Sequence, residues 1–579
     1  MIDWHSIEKR FGKARVFSCF LISVTSVIFL LSYLCPSHIH PFRSYYNDLA
    51  MMAVLPLLAL ALLRQGRLSL PFSKLSLVPL GLVLFIAVQA LLIAASHWQD
   101  LLFSVVYLGL AALAVCFGAA VAGDAMLRLR ATQWMATLFL LVGVVSVWMQ
   151  LTQLFGMNLA PFVMYMVKGE AIGRPYANIA QPNQLALLLC FSLASLWYVY
   201  EKRLTDKWTA LGVAVFLLCG LVLTQSRIGW IIVPAFALVM ASRARENGQT
   251  HWPVYPVVGL IYVGLIVLLP TIAGLLGYSG GSVAEHVAGR SERLGLLRHA
   301  LHMANTHPWL GVGWAGFGPE QVRIAADFPS TTYAEHAHNI VLNFAAELGW
   351  PLTISLCAAS VYWVYRVRKL LSDDGNLFAM LCLGAALVHS MVEFPLWYAY
   401  ILLPVAWLMG MLHQQRWPAK ALQIPLSGVL AGTALFIAVA AWMTWDYQRV
   451  VAGFNVLRWY PVATESRRQS LQSPQHTLYP EFFAYFRLMG ISPEEGMSAD
   501  DIAFVEQWTP RFGFIHILNK LAEVSVLNGQ PAKASRAMQT MQRLYPDSYP
   551  EYYDYWRAKA KLDPRYMAVF KSMPARDSG

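Results

Sequence analysis

Apolar residues in this chain run in blocks and do not alternate with polar ones. Blocks long enough to cross a bilayer recur at about residues 17–35, 48–63, 76–95, 101–123, 133–155, 184–200, 207–224, 228–242 and 253–277. They recur again at about 340–365, 376–392, 396–413 and 425–446. The pattern predicts an all-α polytopic membrane protein with about thirteen transmembrane helices. The stretch 376–413 is too long for one helix and is split at Pro395.

The polar segments between the blocks alternate in charge. One set carries Lys9, Arg10, Lys13 and Arg15, then Arg64, Arg67 and Lys74, Arg128 and Arg130, Lys202, Arg203 and Lys207, Arg243 and Arg245, Arg366, Arg368 and Lys369, and Arg416 and Lys420. The intervening short loops carry only Arg43, Lys168, Arg174 and Arg227. The positive-inside rule puts the first set in the cytoplasm, and the loops 156–183 and 278–338 and the tail outside. Residues 447–579 change character: they are soluble in composition and rich in Tyr and Trp. Within them, 514–527 and 531–545 read as amphipathic helices joined at Asn528-Gly529-Gln530. That pair, with Leu544-Tyr545-Pro546, resembles one tetratricopeptide-like unit. The expected domains are therefore 1–155, N-terminal transmembrane helices; 156–446, a transmembrane core carrying a large periplasmic loop with short helices at 278–338; and 447–579, a periplasmic helical domain.

Composition agrees with the pattern. Of 579 residues, 57% are hydrophobic and 13% charged, against about a quarter charged in soluble domains. The net charge of +11 needs no nucleic acid, since cytoplasmic loops of membrane proteins are rich in Lys and Arg. The seven cysteines form no CxxC pair, and nearly all lie in apolar blocks, so neither a disulfide framework nor a metal site is expected. The first apolar block lacks a small-residue cleavage site and reads as a retained span.

The unusual polar residues gather on the predicted outer face: Arg174, Tyr176, Asn178, Gln181, Asn183, Gln184, Gln225, Arg227, the 278–338 loop, His338, His389, Glu393 and Tyr398. Polar groups at a membrane boundary are costly unless they serve a cavity or one another. Tyr333-Ala-Glu-His-Ala-His-Asn339 ends the loop where an apolar helix begins, and Asn339 can cap that helix. Imidazole changes charge nearest neutral pH, so His338 is either a proton-transfer group or an idle loop histidine. Arg227 is either an interface anchor or an anion ligand, and Arg290, Arg293 and Arg298 are phosphate ligands or a solvated basic stretch. On one straight helix His338 and Glu347 would face opposite ways, which leaves Glu347 a structural role. His389 and Glu393 share a face if their helix holds that far. The glycines of His307-Pro-Trp-Leu-Gly-Val-Gly-Trp-Ala-Gly-Phe-Gly318 sit in no nucleotide-binding context and read as turns.

His-Ala-His-Asn with Ala-Glu-Leu-Gly-Trp-Pro, preceded by Arg-Ser-Glu-Arg and His-Pro-Trp-Leu-Gly-Val-Gly, resembles the O-antigen ligase and polymerase superfamily. Gly173-Arg-Pro-Tyr-Ala-Asn-Ile-Ala-Gln-Pro-Asn-Gln184 and Val392-Glu-Phe-Pro-Leu-Trp-Tyr-Ala-Tyr400 are similar to the bacterial protein O-oligosaccharyltransferases of the PglL type, including pilin-modifying members. The resemblance spans about residues 170–415. It implies an inner-membrane enzyme that moves a preassembled glycan from an undecaprenyl-pyrophosphate carrier onto a hydroxyl at the periplasmic face, with a protein such as pilin as acceptor. It further implies that His338 is the essential histidine and that Arg227 and Arg293 hold pyrophosphate, with Arg290 the alternative loop arginine. Gln184 and Tyr398 match polar positions of the protein-modifying branch; Arg174, Tyr176, Asn178 and Glu393 complete the expected substrate-binding set. No cofactor or metal is expected: pyrophosphate is already a good leaving group, and no carboxylate cluster stands ready for a cation. A sugar hydroxyl as acceptor, as in a ligase or polymerase, is the rival reading. A transporter would place charges near mid-membrane on several helices, whereas nearly all charges here lie at span ends.

Overall fold

A computed structural model describes residues 13–64, 67–93, 98–165, 174–275, 292–418, 422–459 and 468–576. The described chain is almost entirely helical, and the described parts of the thirteen apolar blocks fall almost wholly on helix. Seven helices are long and apolar enough to cross a membrane: Tyr45–Arg64, Lys74–Ile93, Trp98–Ala122, Ala125–Leu154, Pro182–Glu201, Ile228–Glu246 and Leu426–Arg458. Shorter apolar helices cover Ser18–Leu34, Lys207–Leu223 and Val254–Leu268. Helix satisfies every backbone group within its own segment, which is what a lipid-embedded chain requires. This is an α-helical, multi-pass membrane protein. Among the described residues the only strands are Ser69–Pro71 and Gln423–Pro425, a short antiparallel ribbon that the apolar pattern does not announce.

Helix starts follow local chemistry. Asp124, Asp206 and Asp373 each cap a helix by accepting a backbone N–H one turn in. These caps sit in the segments rich in Lys and Arg, where Lys202 and Arg243 both reach Asp374, at 2.7 and 3.5 Å.

The chain divides into two compact units. The first comprises residues 1–82, 106–289 and 362–440. Its centre is the helix Pro182–Glu201, buried along nearly its whole length and packed against Ala125–Leu154, Lys207–Leu223, Ile228–Glu246 and Asp374–Ser390. Elsewhere in this unit Gly118 and Gly410 let two helices meet backbone to backbone; a Cβ on either would overlap the other helix.

The second unit comprises 83–105, 290–361 and 441–579. Its tail folds as short helices: Pro480–Gly490, Ala499–Trp508, Ile515–Leu527, Pro531–Leu544, Tyr549–Ala560 and Pro564–Phe570. Gly529, at φ +74°, turns the third of these into the fourth. Leu518, Met538, Met541, Tyr549 and Trp556 form the tail's core, and Val322 and Ala325 from the long loop are part of it.

Two expectations need correction. The block 340–365 is not one helix: Ile340–Leu348 and Trp350–Val367 are separated at Gly349, whose φ is +84°. His338 precedes the first of them, so the straight-helix relation to Glu347 does not apply. The helix carrying His389 ends at Ser390. Glu393 therefore lies in the following turn and does not continue the helical face of His389.

Candidate active site

In the first unit, three chain segments are tied together by a polar relay. Arg174 donates from Nε to the Thr224 carbonyl at 2.6 Å and from Nη2 to Asn183 Oδ1 at 2.8 Å. Asn183 in turn donates to Glu393 Oε1 at 2.8 Å. Arg174, Asn183 and Glu393 are thus brought together with the turn that bears Arg227. Gln225 in that turn adopts φ +50°, and Arg227 follows it, exposed and without a side-chain partner among the described residues. Gln181 caps the helix that starts at Pro182 by accepting Gln184 N–H at 2.6 Å. The Gln184 side chain is buried, and its oxygen meets no donor among the described residues.

Asn178 is placed differently. It is fully buried, donates to the carbonyls of Leu34 and Phe162 and accepts from Met164 N–H. Its amide is spent on holding three backbone groups. Tyr176 is half-buried, and burial raises its phenol above the usual range. Two glutamines missed in the sequence reading fix this loop from the helix Ala125–Leu154. Gln153 accepts the N–H groups of Tyr176 and Ala177 at 3.1 and 2.9 Å, and Gln150 donates to the Pro175 carbonyl at 3.0 Å. The available signal was a pair of amides three apart in an otherwise apolar block.

Tyr398 stands just before the helix Ala399–Arg416 and stacks on Phe394, with ring centroids 6.2 Å apart. The start of that helix is held by Asp48, also missed: it accepts from Ala399 N–H at 2.6 Å, Tyr107 Oη at 3.0 Å and Ser44 Oγ at 2.8 Å.

In the second unit, His338 is half-buried and adopts φ +52°, the left-handed region that costs a β-carbon residue about 1–2 kcal/mol. Its neighbours fix it there. Asn339 caps the helix Ile340–Leu348 by accepting Leu342 N–H at 3.0 Å. Asn343, one turn further on, accepts Ala337 N–H at 2.9 Å. Such outliers persist where surrounding structure over-determines them, and they concentrate at functional sites. His336 is held down to about 3, by burial first and by His338 second, so it stays neutral at physiological pH. Arg293 is half-buried in the first turn of the helix Glu292–Thr306, Arg298 is exposed, and His299 is buried. Arg290 lies outside the described residues.

The 307–316 loop clasps the end of the helix Ile340–Leu348. Val312 N–H bonds the Ala346 carbonyl and Trp350 N–H bonds the Pro308 carbonyl, both at 2.8 Å. Gly311 and Gly349 lie where a Cβ would overlap the opposing backbone. The side-chain amide of Gln89 joins the same clasp, donating to the carbonyls of Leu310 and Glu347 and accepting Trp314 N–H. Glu347 is buried, its carboxyl facing the N–H groups of Ala315 and Phe317 and the amide of Asn343. Among the described residues no group of three or more His, Cys, Asp or Glu is arranged to hold a metal.

A strained, capped histidine and a cluster of amides and guanidiniums in an all-helical membrane protein fit transfer of a polar group. Comparison with known proteins narrows this. Residues 212–357 match the family described as O-antigen ligase, and residues 377–558 match the family described as the C-terminal region of a virulence-factor membrane-bound polymerase. The chain resembles a general O-oligosaccharyltransferase of Acinetobacter baylyi, with 25% identity over 545 residues covering 91% of this chain and 93% of that one. It also resembles a ComP-specific O-oligosaccharyltransferase of the same organism, 23% identical over 408 residues, 68% of this chain and 71% of the relative. These matches bear out the likeness read from the motifs, to the O-antigen ligase superfamily and within it to protein O-oligosaccharyltransferases. The chain is a glycosyltransferase.

Proposed function

We propose that this enzyme transfers a preassembled oligosaccharide from an undecaprenyl-pyrophosphate carrier to a Ser or Thr hydroxyl of a periplasmic protein, a pilin in the first instance. The observation that carries the reading is His338, held at a left-handed φ between a capped helix and a clamped loop. A hydroxyl is a weak nucleophile, so a base positioned beside it helps. In the proposed step the acceptor oxygen bonds the anomeric carbon as the bond from that carbon to the pyrophosphate oxygen breaks. The hydroxyl proton passes to His338, and the charge gathered on the lipid-bound pyrophosphate is met by Arg227 and Arg293, with Arg290 as the alternative loop arginine. Gln184 and Tyr398, with Arg174, Tyr176, Asn178 and Glu393 around them, hold the glycan or shape its seat. The reaction needs no metal, because the leaving group is already activated.

In this reading the protein sits in the bacterial inner membrane with about thirteen spans. The polar site and the tetratricopeptide-like domain 447–579 face the periplasm; N-terminal helices 1–155 and a ligase-like core 156–446 precede that domain in the chain. The match to an O-antigen ligase family over 212–357 supports a second acceptor class, a sugar hydroxyl.

Intact mass of the major pilin separates the two. It is measured in cells that make the lipid-linked glycan, with the gene present, deleted, or replaced by the His338→Ala form. The expected result is a glycan-sized loss on deletion that the variant does not restore. An unchanged pilin mass with a lost O-chain ladder would favour the sugar acceptor, and wild-type activity of the variant would remove His338 as the base.

A further inference from the structure

On its C-terminal side His338 is followed by two local holds, the Asn339 cap and the Asn343 bond. The segment on its N-terminal side, 331–335, is held largely from the tail. Thr331 N–H donates to the Arg543 carbonyl at 2.9 Å. Tyr333 lies against Tyr545, with centroids 6.3 Å apart, and meets Phe514 edge-on at 6.1 Å. Gly513 backs this socket, because a Cβ there would collide with the Tyr333 ring, and Tyr545 Oη donates to the Gly513 carbonyl at 2.9 Å. Buried Gln321 adds a two-way clamp, donating to the Thr332 carbonyl and accepting Ala334 N–H.

The turn that carries Gly513 and Phe514 has an anchor of its own in Arg511. Arg511 lies in the turn between the helices Ala499–Trp508 and Ile515–Leu527 and is largely buried, with 18% of its side chain exposed. It donates from Nε to Glu481 Oε2 at 2.7 Å and from Nη2 to Asp100 Oδ1 at 2.9 Å. One guanidinium therefore ties the turn behind the Tyr333 socket to two carboxylates, Asp100 at the start of the helix Trp98–Ala122 and Glu481 in the tail. Only Arg among the basic side chains has a fork that can hold two carboxylates at fixed angles.

We propose that the tail is a positioning element for His338, with Arg511 as its central positioning residue and the Tyr333 socket as its second hold. The proposal rests on the reading of His338 as the base. It assigns the tail a part in turnover and not the capture of the acceptor protein. A base displaced by even an ångström loses rate.

The test uses the full-length enzyme in detergent or nanodiscs, with lipid-linked glycan and acceptor protein. Kinetics are paired with hydrogen exchange of the peptides covering 331–338. Tyr333→Ala is the more direct variant, because it empties the socket while Arg511 keeps Asp100 and Glu481. Tyr333→Ala and Arg511→Gln are expected to lower kcat by roughly ten- to a hundredfold with KM for the acceptor unchanged, and to speed exchange in 331–338. Arg511→Lys should fall between wild type and Arg511→Gln. Arg487→Gln, which breaks an exposed tail pair with Asp501, should match wild type. An unchanged kcat in Tyr333→Ala and Arg511→Gln overturns the proposal. So does unchanged exchange, and so does a raised acceptor KM at constant kcat, which would make the tail a docking module. If His338→Ala keeps its activity while exchange in 331–338 still responds to Arg511, the assignment of the base has failed and the mechanical link has not.

Discussion

The loops 174–184 and 331–338 end in the same way and are held in opposite ways. Each delivers a polar side chain to a helix start, Gln181 in one and Asn339 in the other, and each side chain accepts an N–H three residues on. Upstream of that cap they part. The first loop is fixed largely from the helix that precedes it in sequence, by Gln150 and Gln153, with Asn178 reaching back to Leu34 and Arg174 across to Thr224. The second is fixed by Gln321 nearby and by Arg543, Tyr545 and Phe514 far downstream. A local device can start a helix anywhere. Where the residue before that start must sit is decided by packing partners that the local sequence does not contain.

The largest expected effect comes from the two arginines proposed to meet pyrophosphate. Arg227→Lys and Arg293→Lys keep the charge and lose the fork, so each should lower kcat/KM by about ten- to a hundredfold in a transfer assay. Wild-type turnover in either would remove that arginine from pyrophosphate binding. A smaller effect sharpens the contrast. Asn178→Ala leaves three backbone groups without partners and should cost about 2–4 kcal/mol of stability, read as thermal unfolding in detergent, while the kcat of the folded fraction stays near wild type. A lower kcat at undiminished stability would make Asn178 part of the chemistry.

The smallest effect concerns the second unit. His336 and His299 are depressed by burial, to about 3 and about 4, whereas in an unfolded chain they titrate near the ordinary value of about 6.5. Between those values the unfolded state binds more protons than the folded one, so stability falls as pH drops from about 6.5 toward 4. His299→Phe should flatten part of that slope, and an unchanged slope would show that His299 does not carry it.

Much of this architecture was legible because lipid imposes simple rules. A long apolar block must be helix, and the described parts of the blocks almost wholly were. The cap at Asn339 and the hairpin at Gly529 were visible in a few adjacent residues. The break at Gly349 was hidden, because an apolar block looks the same whether it makes one helix or two. Only the opposing loop at Pro308–Gly311 shows why the chain must turn there. Gln150, Gln153, Asp48 and Gln89 were hidden for a related reason. Each is a polar residue on an apolar helix, and its meaning lies in a backbone group on another segment. Arg511 is the extreme case: an ordinary basic residue in a soluble tail, with one partner, Asp100, at the start of the helix Trp98–Ala122.

The grip of the tail on residues 331–335 has a consequence for how the enzyme is made. Arg511, Phe514, Arg543 and Tyr545 leave the ribosome long after His338 and every apolar block. A chain halted or clipped before them can insert its helices and still hold an unset histidine. Competence then arrives last, when the final helices have been delivered and folded, so a half-built molecule does not yet spend its lipid-linked donor.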